Sequence, residues 1–196
     1  MAFLKYIVLA CLAMFAVEVL ADYPKSDRDF ALLPPYCKAK LKPSSPEQSR
    51  LWAQRLGHDF SHTHHYCAAL HSLRLARSII SLDRNQQQGK KGLLANVTGE
   101  IGYMEAHANP AYILFPAIYS TKAEAYFISG NTDEAVKYLY KAIKSNRKYT
   151  KPYKILADFY LDLGRRQDAR EVLEKGLKYS PKSKSLQRRM KKLAAQ

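Results

Sequence analysis

Five of the six histidines fall between positions 58 and 71: His58, His62, His64, His65 and His71. Cys67 lies among them. On a helix His58, His62 and His65 share one face, and His64, Cys67 and His71 share another at spacings of three and four. Imidazole and thiolate groups so spaced can chelate Zn or Cu. His64, Cys67 and His71 are therefore a candidate metal set. No His-Glu-x-x-His and no Cys-x-x-Cys-His occurs, so no named metal or haem motif supports it. The plainer role is structural, with imidazoles hydrogen-bonded beside Tyr66 and Phe60 on a packing face. A Cys–His nucleophile would need an unpaired Cys67 with a lowered pKa. Cys37 is the natural competitor, because each of the two cysteines follows a tyrosine and an even pair in an oxidising compartment points to a disulfide. Two separate buried thiols, or a metal site, are the alternatives.

The compartment is read from residues 1–21. Lys5 is a lone early cation, residues 6–17 are uncharged and apolar, and Val19-Leu20-Ala21 suits a signal peptidase. Cleavage after Ala21 is expected, giving an exported chain, periplasmic or secreted. An uncleaved anchor and a lipidated Cys11 are the rival readings. No apolar run reaches the roughly 20 residues of a membrane span. The chain has 196 residues, 32 Lys and Arg against 17 Asp and Glu, and a net charge of +15. With 47% hydrophobic and 11% aromatic residues it can fill a core, which excludes wholesale disorder. Three cysteines are too few for a disulfide framework.

The elements that must position these side chains are helical. Residues 22–44 read as an extended arm, since Pro34-Pro35 favours extended backbone. Residues 45–110 read as an N-terminal helical segment. Ser45, Pro46 and Gln48 start a short helix that Gly57 ends. A longer helix is expected over 59–82, with Tyr66, Leu70, Leu73 and Ile80 at helical spacing. Residues 83–92 read as a polar linker, and 93–108 as a helix that Gly99 and Gly102 weaken or fit for close packing. Asn96-Val97-Thr98 is formally a glycosylation sequon, but in a helix it is a chance match. No strand-period alternation occurs, so the chain reads as all-α.

From residue 116 the chain repeats itself every 34 residues. Tyr119, Ala123, Tyr126, Gly130, Ala135, Leu139, Ala142 and Ile143 recur as Tyr153, Ala157, Tyr160, Gly164, Ala169, Leu173, Gly176 and Leu177. These residues resemble the tetratricopeptide repeat. The resemblance implies a short right-handed solenoid of helical hairpins, with two units at about 116–149 and 150–183 within 111–182. Small residues then let the paired helices approach, and Gly130 and Gly164 occupy the turns. One or two units cannot bury their own faces. The helices upstream are expected to cover the first unit as a divergent pair, forming an N-terminal extension. Residues 183–196 are expected to close the other end, with Leu186, Met190 and Leu193 inward.

Residues 145–196 carry 15 Lys or Arg against 5 Asp or Glu. The family register places Ser120, Glu124 and Phe127 in a concave groove, followed by Lys151, Lys154 and Asp158, then Arg188, Arg189 and Lys192. Some family members clamp a C-terminal carboxylate with Lys, Arg and Asn. Glu124 and Asp158 stand where those members carry Asn, so that activity is not carried over. A basic groove suits another protein or an acidic peptide, an anionic envelope surface, or no partner at all if it is merely a solvated face. Nucleic acid is disfavoured, because no nucleic-acid motif is present. With no nucleophile elbow, paired carboxylates or zincin motif, a non-catalytic exported scaffold without cofactor is expected. A metal-binding or redox-linked envelope protein that uses the His-rich helix is the alternative.

Overall fold

The computed structural model describes residues 23–80 and 83–195; the expected leader and its cleavage site lie outside them. The first helices form where an extended arm was expected. Ser26 and Asp29 make a reciprocal capping box that starts α1, Asp27–Ala31. Pro35 at the first helical position starts α2, Pro35–Leu41. Pro34-Pro35 thus initiates a helix, because the fixed φ of proline suits the first turn. Ser45 caps α3, Pro46–Leu56, and Gly57 at φ 81° ends it.

The longer helix expected over 59–82 is shorter at both ends. It begins as a 3-10 turn, His58–His62, then runs as α4, Thr63–Ser78. Ile79 turns to extended backbone, and Ile80 is 92% exposed instead of facing the core. The expected polar linker over 83–92 is mostly the start of α5, Arg84–His107. Asp83 accepts from the backbone N–H groups of Asn85 and Gln86 and so nucleates it. Polar side chains there face solvent, where they cost a helix little. Gly99 and Gly102 have no neighbour near enough to need a glycine, so close packing is not their role. Asn96 is buried and donates to Ser72 across the α4–α5 contact, so the sequon is a structural asparagine.

Five further helices follow: α6, Phe115–Ile128, with α7, Thr132–Ser145, and α8, Lys151–Asp162, with α9, Arg166–Tyr179, form the two repeat hairpins, and α10, Lys184–Ala194, closes them. No strand occurs among the described residues. The two inter-helix turns share one backbone solution 34 residues apart. Gly130 and Gly164 have φ of 81° and 71°, and the next residues, Asn131 and Arg165, donate back to the carbonyls of Tyr126 and Tyr160. α4 packs on α5 as a hairpin ahead of these two units. Two cores result. One joins α4, α5 and α6 through Leu73, Val97, Ile101, Met104, Phe115 and Ile118. The other joins the repeat hairpins to Leu186 and Leu193 of α10. Met190 packs against it half-buried.

Gly176 marks the closest approach in the second unit. A Cβ there would lie 2.9 Å from Tyr153 Cγ and 2.9 Å from Leu186 Cδ1. The Leu186 methyl ends a flexible side chain and can move; the Tyr153 contacts are to Cγ and Cβ, next to the backbone, and cannot swing away. Gly176→Ala gains helix propensity but overpacks this contact, and a net loss of roughly 1–2 kcal/mol is expected. Urea denaturation checks it, and a variant as stable as the parent would show that the junction has room.

Candidate functional site: a basic groove with paired carboxylates

The first helices of successive hairpins lie side by side: α4 touches α6, α6 touches α8, and α8 touches α10. Charged side chains cross each seam. Arg77 of α4 and Lys151 of α8 both pair with Glu124 of α6, the lysine at 2.6 Å. Asp158 of α8 takes the guanidinium of Arg189 of α10 in a two-pronged contact, with Nε to Oδ1 at 2.9 Å and Nη2 to Oδ2 at 2.8 Å. Phe127 meets Phe159 in a tilted ring contact at 4.8 Å, half-buried between the units. Ser120 does not line the groove. Its hydroxyl is buried and donates to the Pro116 carbonyl.

Cations outnumber acids on this face. Arg77, Lys151, Lys154, Arg166, Arg188, Arg189 and Lys192 stand against Glu124, Asp158 and Asp162. Burial, with the Arg77 charge adding, presses the Lys151 amine down to about 8, while the adjacent Glu124 carboxylate acts the other way. Lys154 is also lowered, first by burial and then by the charges of Arg189 and Lys151. The open part of the groove is a cleft of about 630 Å³ between α8, the α8–α9 turn and α10. Asp158, Arg188, Arg189 and Lys192 line it, as do Arg166 and Asp162. Arg166 donates to the Leu193 carbonyl at the end of α10. The structure therefore gathers the predicted Asp158, Arg188, Arg189 and Lys192 at one cleft, sets Lys154 within electrostatic reach, and places Glu124 with Lys151 at the neighbouring seam. Sequence reasoning missed Arg77 and Arg166. Arg77 could be placed only by treating α4 as the first groove helix.

The His-rich segment has another role. Cys37 and Cys67 are joined in a disulfide with Cα atoms 5.5 Å apart, tying α2 to α4. Cys67 is thus held in the bridge and is not free to serve as a thiolate ligand or nucleophile beside His64 and His71. His64 Nδ1 meets the Ser61 carbonyl. His71 is buried, with Arg74 donating to its Nδ1 and Asp29 nearby. No group of three or more metal-ligating side chains occurs among the described residues. The imidazoles build a stacked column instead. His64 contacts His65 at 4.1 Å, His65 stacks on Tyr103 at 3.9 Å, and Tyr103 on His107 at 4.0 Å. His65 Nδ1 lies 2.5 Å from Glu100. Burial pushes His64 and His65 toward their neutral forms. This column fastens α4 to α5.

Hairpins of 34 residues laid side by side define a helical-repeat scaffold. A family model described as tetratricopeptide repeat matches residues 126–196, and the two hairpins are similar to that repeat over this part of the chain. No curated protein matches the chain. No helix among the described residues is long and apolar enough to cross a membrane.

Proposed function

We propose that this chain is an exported, non-catalytic scaffold whose groove holds an acidic segment of a partner protein. The observation that carries the reading is the cleft between α8 and α10, where, among the described residues, Arg166, Arg188, Arg189 and Lys192 outnumber Asp158 and Asp162. Helical-repeat proteins bind along such extended concave surfaces. Export is supported by the leader pattern of residues 1–21 and by the Cys37–Cys67 bridge, which belongs to an oxidising compartment.

A glutamate-rich fluorescent peptide tests the reading. The mature chain should bind it, and binding should weaken with salt, because exposed charges are screened over about 8 Å at physiological ionic strength. Reversing Lys154 and Arg188 to Glu together should reduce affinity at least about tenfold, with each change costing stability no more than about 0.5 kcal/mol. Unchanged affinity in a folded double variant would make the charge a solvated face. Tighter binding to anionic vesicles than to the peptide would move the site to membranes and overturn the proposal.

A further inference from the structure

Asp158 occupies the place that an incoming carboxylate would take. It grips Arg189 fork to fork, the arrangement in which a guanidinium best recognises a carboxylate. Its side chain is 49% exposed, while that of Arg189 is 27% exposed. The acid lies toward solvent and the cation lies deeper. Around the pair, Arg166, Arg188 and Lys192 line the same cleft. Lys154 feels Arg189 and Arg188 as repelling charges and Asp158 as the attracting one. Asp158 thus neutralises the best carboxylate-binding group of the groove. Glu124 contrasts with it. Its side chain is only 13% exposed and it answers both Arg77 and Lys151, so it stitches three hairpins together.

We propose that Asp158 is a built-in competitor: it fills the Arg189 fork when no partner is bound and must swing out for an acidic side chain of the partner to enter. This rests on the reading of the groove as a site for acidic segments. The half-exposed Asp158 carboxylate can be rehydrated as it leaves, and the two-pronged bond to Arg189 sets the energy that an incoming acid must supply. Its cost appears as a reduced apparent affinity, because only the open fraction of the protein binds. Asp158 then sets a threshold: a partner must bring more than one carboxylate to outbid an acid already in place. Segments with a single acidic residue are discriminated against, and runs of acids are selected.

The test measures binding of the glutamate-rich peptide, and of a matched peptide with one glutamate, to the mature chain and three variants. Asp158→Asn removes the competitor. Asp162→Asn removes the same charge from the same cleft without touching the fork, and so reads the general electrostatic gain. Asp158→Asn with Arg189→Gln removes both partners. Asp158→Asn should tighten binding roughly two- to fivefold beyond the gain from Asp162→Asn, with the larger relative gain for the single-glutamate peptide. The double variant should lose that excess. Thermal unfolding of each variant confirms folding. Equal gains from the two aspartate variants, or weaker binding by Asp158→Asn, would overturn the competitor while leaving the groove as a site. Absence of peptide binding by parent and variants alike would remove the groove reading itself. Binding by Asp158→Asn and not by the parent supports the competitor most directly.

Discussion

Removing the Cys37–Cys67 bridge should cost roughly 3–4 kcal/mol of folding stability, as chain entropy gives for a loop of about 30 residues. The bridge closes a separation of 30 residues, and both sulfur-bearing residues are fully buried. Cys37→Ala and Cys67→Ala should each lower the urea midpoint by a similar amount. The double variant should lose little more, because either change alone opens the same loop. Thiol titration of the denatured, unreduced parent should find no free thiol from this pair. A single variant that keeps parental stability, or two free thiols, would remove the bridge from the account. The effect should centre on α2 and α4, which the bridge connects, and leave the hairpin turns at Gly130 and Gly164 as they are.

The second large effect lies in the repeat. Tyr153 is fully buried, its ring meets Gly176, and its hydroxyl donates to the Arg147 carbonyl at 3.0 Å. Tyr153→Ala leaves a ring-sized cavity between α8 and α9 and should cost about 3–5 kcal/mol. Tyr153→Phe keeps the ring and loses only the hydrogen bond, so about 1 kcal/mol is expected. The difference between the two, measured by urea denaturation, separates packing from polarity. Comparable losses would mean that the hydroxyl, not the ring, fixes the junction.

The repeat was readable because its rules are local and recur. Gly130 and Gly164 declare a left-handed turn, and the small residues opposite them declare a close contact. Lys151, Asp158, Arg188, Arg189 and Lys192 followed from that register. The N-terminal part obeys no period, so its signals had to be taken singly. The Ser26–Asp29 capping box and the Asp83 cap start helices where Pro34-Pro35 and polar composition point to an arm and a linker. The role of Arg77 was hidden for a different reason: it depends on α4 lying beside α6, a tertiary fact that no spacing within α4 encodes. The His64, Cys67 and His71 spacing admits chelation, with packing the plainer role. The spacing does not show that Cys67 pairs with a residue thirty positions away.

The helix α6 belongs to both cores at once. Phe115, Ile118, Tyr119 and Ala125 face the N-terminal pair, while Ala123 packs with the second unit. Even its polar residues are inside: Thr121 meets Tyr66, and Lys122 reaches Glu105 of α5 at 2.6 Å. A fragment cut to begin at Ala111 would therefore not be a smaller version of the same protein. It would turn an aromatic flank and an unpaired buried lysine toward water, and it would be prone to clump. The match to a repeat family over residues 126–196 marks where the sequence is recognisable, not where the molecule can be divided. The divergent helices ahead of it are the wall against which the recognisable part is built.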